Sequence, residues 1–284
     1  MKLAHFVPYV LSVLCVPSLP AASTITPGHR HAYGANIGWI DCRADGTNGM
    51  VVGSHTCRGF VYSANCGWID LGNGAPTNGV RYSNADVGDF GVNHDGRGNL
   101  RGYAYGANIG WLVFEERGRP SVDLLTGVLS GYAYGANVGW VSLSNSVAHV
   151  QTGAFAPGAD RDRDQIPDNW ETERAGSTYR LRAGGDADGD GAGDWEEFIA
   201  DTNPLDARDY LYVHPVLIGA RCYAQWAPRG TRIYRVEVCD DLAQPAWEDS
   251  GRGVVRAAGD TVLRVPMTGQ RGFLRVQAML PIPR

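Results

Sequence analysis

The stretch AYGANIGWID at residues 32–41 recurs as VYSANCGWID at 61–70, AYGANIGWLV at 104–113 and AYGANVGWVS at 133–142. In each copy a Tyr-bearing strand enters, Asn and a following apolar residue turn the chain, and Gly hands over to a second strand that starts at Trp. Gly38, Gly67, Gly110 and Gly139 stand where a tight hairpin turn with a bulge requires positive φ. The motif therefore predicts a β-hairpin in four copies. The tryptophans Trp39, Trp68, Trp111 and Trp140 are spaced by 29, 43 and 29 residues, so the middle interval holds an insertion.

Alternation after the turn sends Ile40 and Cys42, Ile69 and Leu71, Leu112 and Phe114, and Val141 and Leu143 to one face, which is expected to be the core. Trp falls on the opposite face with the Tyr residues of the partner strand. Those rings are expected to pack against neighbouring repeats; the competing reading is a ladder that stacks sugar rings. Upstream of the third and fourth copies, VNHDGRGNLRGY at 92–103 and VDLLTGVLSGY at 122–132 add a short strand and a turn. The pattern leaves a solenoid, a barrel and propeller-like blades equally open.

Cys42 occupies the slot of Leu71, Phe114 and Leu143, and Cys57 that of Leu100, so a Cys42–Cys57 disulfide is expected in an oxidising compartment. Cys222 and Cys239 flank a predicted hairpin and are candidates for a second bridge. Cys66 has no evident partner.

The formal charge of −5 is unevenly placed: residues 158–206 hold 14 Asp and Glu against 5 Arg. Within that block, residues 160–171 read DRDRDQIPDNWE and residues 186–197 read DADGDGAGDWEE. A hard cation wants several oxygens wrapped around it, and a 12-residue loop supplies them from positions 1, 3, 5, 7 through a carbonyl, 9 and 12. The first loop offers Asp160, Asp162, Asp164, Ile166 through its carbonyl, Asp168 and Glu171. The second offers Asp186, Asp188, Asp190, Ala192 through its carbonyl, Asp194 and Glu197. Calcium is the expected ion. Gly191 provides the flexible sixth position of the second loop; Gln165 stands there in the first. Short helices are expected at 169–175 and 195–200.

This segment resembles the thrombospondin type 3-like calcium repeats of exported bacterial proteins, with Arg163 and Gln165 as departures from the usual form. The resemblance implies a metal-dependent stalk between domains. The order Trp226, RIYRVE at 232–237, Asp241-Leu242, Trp247 and FLRV at 273–276 is similar to a fibronectin type III-like terminal module. The repeats likewise resemble the Gly-Tyr-Ala-Trp-Gly-x-Asn-x-Gly-Trp repeats of exported bacterial proteins.

Residues 1–22 carry Lys2, an apolar run at 11–16 and the small residues Ala21 and Ala22, which reads as a secretory signal peptide. No other stretch is apolar enough to span a bilayer, so the mature chain is expected to have no transmembrane segment. The expected fold class is mainly β: antiparallel β-hairpin repeats at 23–155, a short calcium-binding loop–helix segment at 156–208 and a C-terminal β-sandwich at 209–284. The expected function is a secreted or cell-surface calcium-binding structural or adhesion protein without catalytic activity. The sequence names no partner; a cell-surface or extracellular polysaccharide or protein are the candidates, and nucleic acid is not expected; Lys2 is the only lysine. The alternatives are a carbohydrate-binding protein using the Tyr/Trp repeats, or a dockerin-like docking module. No nucleophile elbow, zinc-protease or phosphate-loop motif is present. The seven histidines are scattered, and His94 is expected in a solvated turn.

Overall fold

The computed structural model describes residues 23–219, 221–257, 262–266 and 273–282. The expected signal peptide lies outside them. The chain is mainly β, in antiparallel sheets, and the four hairpins close an eight-stranded barrel. Its strands are β1 (Ile25–Gly34), β2 (Gly38–Asp41), β3 (Phe60–Ser63), β4 (Gly67–Asp70), β5 (Leu100–Gly106), β6 (Gly110–Phe114), β7 (Tyr132–Gly135) and β8 (Gly139–Ser142). Each strand pairs with the next in sequence, and β8 returns to β1 through Tyr33 opposite Ser142 and Gly34 opposite Val141. Of the three architectures left open by the pattern, the chain adopts the barrel.

Four-residue strands are too short to be stable as isolated hairpins. Closure removes the unpaired edges that an open sheet of such strands would present. The interior is filled in layers. Ala32, Val61, Ala104 and Ala133 lie opposite Ile40, Ile69, Leu112 and Val141, the small residue of each pair leaving room for the larger one. Cys42, Leu71, Phe114 and Leu143 form the next layer, as alternation requires. Only a void of about 30 Å³ remains among these side chains, so the barrel is a packed core and holds no ligand cavity.

At the turn end, Ile37, Cys66, Ile109 and Val138 fold inward and plug the barrel. The asparagine of each turn reaches the preceding hairpin: Asn65 Nδ2 donates to Ile37 O (3.1 Å), Asn108 to Cys66 O (3.1 Å), Asn137 to Ile109 O (3.0 Å) and Asn36 to Val138 O (3.1 Å). These four bonds form a closed ring. The glycines Gly38, Gly67, Gly110 and Gly139 have φ of 69°, 79°, 75° and 73°, the left-handed backbone that the turn requires.

The cysteines depart from expectation. All five described cysteines are free thiols. Cys42 lines the barrel interior, whereas Cys57 sits on the small hairpin Val51–Val52/Cys57–Arg58 that covers the open end, so both fill apolar slots without meeting as a bridge. Burial pushes each thiol up to about 12, which keeps them protonated and inert. Cys222 and Cys239 are also unbridged, because their strands pair in different sheets.

His94 is a second departure. It closes the short strand Val92–His94 and is fully buried, with Nδ1 donating to Gly53 O at 2.9 Å and its ring against Phe155. Burial drives its pKa down to about 4, so the ring is neutral.

Beyond the barrel stand α1 (Asp168–Ala175) and α2 (Asp194–Ala200), gathered around Ile166, Trp170 and Leu181. The strands of the C-terminal part are β9 (His214–Ile218), β10 (Arg221–Trp226), β11 (Ile233–Cys239), β12 (Glu248–Arg256), β13 (Leu263–Pro266) and β14 (Phe273–Met279). They form two three-stranded antiparallel sheets, β9–β10–β13 and β12–β11–β14. One apolar cluster, with Trp226, Tyr234, Val236 and Val265, draws on both.

Candidate metal centres

The two acidic loops fold alike. Asp160, Asp162 and Asp164 bring one carboxylate oxygen each within 4.8 Å of the others, and Asp186, Asp188 and Asp190 do the same. The carboxylate at position 1 accepts the backbone N–H of position 6: Gln165 N to Asp160 Oδ2 at 3.1 Å, Gly191 N to Asp186 Oδ2 at 3.0 Å. The carboxylate at position 5 accepts the N–H of position 7: Ile166 N to Asp164 Oδ1 at 2.8 Å, Ala192 N to Asp190 Oδ1 at 2.7 Å. Turns of this kind need left-handed backbone at positions 4 and 6. Gly189 (φ 78°) and Gly191 (φ 95°) adopt it freely, whereas Arg163 (φ 64°) and Gln165 (φ 80°) adopt it at a cost of about 1–2 kcal/mol each.

Position 12 is the telling residue. Glu171 and Glu197 are buried, on α1 and α2 respectively. Both oxygens of Glu171 lack any hydrogen-bond partner; Glu197 Oε1 accepts from Thr202 Oγ1 at 2.9 Å, while its Oε2 has none. Asp164, Asp188 and Asp190 each carry one further unpartnered buried oxygen, Oδ2 in every case. Burial, and after it the neighbouring aspartates, pushes Glu171 and Glu197 up to about 8. Asp164 and Asp188 are raised for the same reasons. Native proteins rarely bury polar atoms without partners, so such atoms at matching positions of two loops require a common explanation. An array of acceptors with no donor facing them can hold a cation.

Position 9 is used differently. Asp168 Oδ1 accepts Arg161 N at 3.0 Å and its Oδ2 the Arg161 guanidinium at 2.8 Å; Asp194 accepts Ala187 N and Arg182 N, both at 2.8 Å. These carboxylates brace the loops from the helix side, and neither belongs to an aspartate triplet. Ile166 lies in the small core beside Trp170, and Ala192 beside it in role is held only through its N–H.

Several residues that the sequence reading passed over join this segment to its neighbours. Glu173, two residues beyond Glu171, bonds His55 Nε2 (3.2 Å) and the Arg81 guanidinium (2.6 Å) of the barrel unit, and Asn169 bonds His55 Nδ1 (2.9 Å). These partners hold Glu173 down at about 2, the His55 bond contributing most. Asp201, the left-handed C-cap of α2, accepts Trp170 Nε1 (3.0 Å) and Arg174 (2.8 Å) from α1 and the Thr231 hydroxyl from the C-terminal unit. Arg232, almost fully buried, donates to Phe198 O (2.6 Å) and Ile199 O (2.7 Å) at the end of α2. An acidic residue just past a short helix, 30 residues before a Thr-Arg pair, gives no pattern by which this junction could be found in the sequence.

The aromatic rows also differ from expectation. Trp39, Trp68, Trp111 and Trp140 lie on the outer barrel surface, 38–48 % exposed. Each packs against the Tyr of its own hairpin, at centroid distances of 4.8–4.9 Å, and not against the neighbouring repeat. The strand-to-strand register explains this, since Tyr and Trp are directly opposite within every hairpin.

No helix among the described residues is long and apolar enough to cross a membrane. Comparison with protein families, with curated proteins and with solved structures finds no match to any of them.

Proposed function

We propose that this chain is a secreted calcium-binding structural or adhesion protein without catalytic activity. In this reading its hairpin-repeat barrel and C-terminal β-sandwich are joined by a calcium-dependent segment at 156–208. The observation that carries the reading is the pair of buried glutamates, Glu171 and Glu197, whose unpartnered oxygens stand behind the aspartate triplets in two loops of matching geometry. The donor set is all oxygen and carboxylate-rich, which suits a hard cation, and calcium tolerates the irregular loop geometry better than magnesium does. The leader pattern at 1–22 supports export to a compartment where calcium is plentiful.

The role of the ion is mechanical. Glu171 on α1 is followed by Glu173, which grips the barrel unit at His55 and Arg81. Glu197 on α2 is followed by Asp201, which meets Thr231 and Arg232 of the C-terminal unit. An ion in each loop fixes its helix, and each helix fixes one neighbouring unit.

Isothermal titration of the purified mature chain tests this. Two calcium ions per chain are expected, with one site lost in Glu171→Gln and the other in Glu197→Gln. Absence of binding heat, together with a melting profile that a chelator leaves unchanged, would refute the reading.

A further inference from the structure

The interval between the second and third hairpins contains residues 71–91, a connection without helix or strand. Loops this long inside a compact unit are uncommon and are usually functional or disordered. This one is firmly held. Asp89 is buried and accepts Thr77 N (3.0 Å) and Ser83 N (2.9 Å), Asn84 Oδ1 accepts Gly91 N (3.0 Å), and Tyr82 exchanges two bonds of 2.9 Å with the Asn93 side chain. The result is a rigid arm across the outer face of one hairpin.

Where the arm passes Trp111 it leaves a cleft of about 230 Å³. The Phe90 ring stands at 83° to the indole with centroids 5.1 Å apart, and Tyr103 at 75° and 5.9 Å. The opposite wall is Asn84, Asp86 and Val87. Asp86 is exposed, and its Oδ1 accepts Gly88 N at 2.7 Å. Trp39, Trp68 and Trp140 have aromatic partners from their own hairpins but no ring from this arm. The four repeats are therefore equivalent in the barrel and unequal on its surface.

We infer that the cleft beside Trp111 binds one pyranose ring of a neutral polysaccharide. An exposed indole offers a flat apolar platform for the C–H face of a sugar, and the amide and carboxylate on the facing wall can bond its hydroxyls. The volume is below the roughly 300 Å³ at which pockets for drug-sized ligands begin, and so suits a single ring. A caged quaternary ammonium fits less well, because Phe90 and Tyr103 both stand edge to face against Trp111 rather than around an open space, and the cleft is also lined by the polar Asn84 and Asp86. Because the arm is held in place before binding, little ordering cost opposes association. This inference is independent of the calcium reading.

The test is calorimetric titration of the full mature chain, in calcium-containing buffer, with cellohexaose, xylohexaose and chitohexaose. Saturable binding of at least one is expected. Trp111→Ala should weaken it about ten-fold, equivalent to one strong stacking contact. Asp86→Asn, which keeps an acceptor for Gly88 N while removing the charge, should weaken it as well, whereas Trp68→Ala should not. Failure of all three oligosaccharides to bind, equal loss in Trp68→Ala, or displacement of bound oligosaccharide by tetramethylammonium would overturn the inference.

Discussion

The plug residues at the turn end of the barrel allow a double-mutant cycle whose outcome is set by geometry. Three hairpins place Gly before the turn (Gly34, Gly106, Gly135) and a branched plug after it (Ile37, Ile109, Val138); the second hairpin has Ser63 and Cys66 instead. A Cβ built on Gly34, Gly106 or Gly135 would come within 2.8, 2.7 and 2.6 Å of the plug side chain, closer than carbon atoms approach. Ser63 has that Cβ, so its hairpin accommodates only a narrow plug. Cys66→Ile alone should therefore overpack the barrel end, at about 1–3 kcal/mol. Ser63→Gly alone loses the bond from Ser63 Oγ to Ile37 O (2.9 Å), worth about 1 kcal/mol, and adds glycine backbone freedom of about 0.5–1 kcal/mol. The double variant reproduces the arrangement of the other hairpins, so the overpacking penalty disappears and the two changes should couple by about 1–3 kcal/mol. Scanning calorimetry in saturating calcium reads this as the barrel transition, where each kcal/mol moves Tm by roughly 2–4 °C. Cys66→Ile should melt lower than wild type, and Ser63→Gly should cost less in the Cys66→Ile background than it does alone. If the two changes add within about 0.5 kcal/mol, the steric argument is wrong.

Asn36→Ala opens the ring of turn asparagines at the β8–β1 seam; a loss of about 0.5–1.5 kcal/mol is expected from urea unfolding, and no loss would show that the ring is ornamental. Acid should weaken the fold through His94, whose native pKa is about 4 against an ordinary 6.5. Stability is then complete above pH 6.5 and falls by up to about 3 kcal/mol as the unfolded chain takes up the proton between pH 6.5 and 4. His94→Asn should remove that part of the pH profile, and parallel wild-type and variant profiles would contradict the assignment. Arg232→Ala should cost about 1–3 kcal/mol by leaving the buried Phe198 and Ile199 carbonyls at the end of α2 without their donor, while Asp201 keeps Trp170, Arg174 and Thr231. Limited proteolysis should then cut between α2 and β9, and an unchanged digestion pattern would argue against the junction.

Hairpins, turn glycines and the core face of β2, β4, β6 and β8 were legible because period-two alternation and positive-φ positions are local properties. Barrel closure was not legible. The asparagine that makes the ring is visible in every repeat, but its acceptor lies in another repeat, and for Asn36 it is Val138 at the far end of the unit. The cysteine pairing failed for a related reason: two positions can belong to one apolar cluster, as Cys42 inside the barrel and Cys57 on the small hairpin do, without facing each other. His94 was misplaced because its neighbours Asp95 and Gly96 look like a solvated turn, whereas the strand ending at His94 is covered by Gly53 and Phe155 from remote segments. In the acidic loops the aspartate triplets could be read from spacing alone. The bracing role of Asp168 and Asp194 could not, since their partners depend on how each helix enters.

The three parts of the chain also differ in what can hold them together. The barrel has a layered core and no free edge in its ring of eight strands, so it needs no ligand. The two C-terminal sheets share a cluster built on Trp226 and Tyr234. The segment between them is ordered around three fully or nearly buried apolar side chains, Ile166, Trp170 and Leu181. Its helices of 8 and 7 residues are below the length stable alone in water. A core of that size cannot offset the repulsion among its carboxylates, and buried Glu171 and Glu197 add to the cost. Cations bound in the loops would remove the repulsion and satisfy the orphaned oxygens together, which ties folding of this segment to ion concentration. On the proposed calcium reading, chelation should therefore loosen the segment first and release the grip of Glu173 on the barrel and of Arg232 on α2, while both β units keep their own cores.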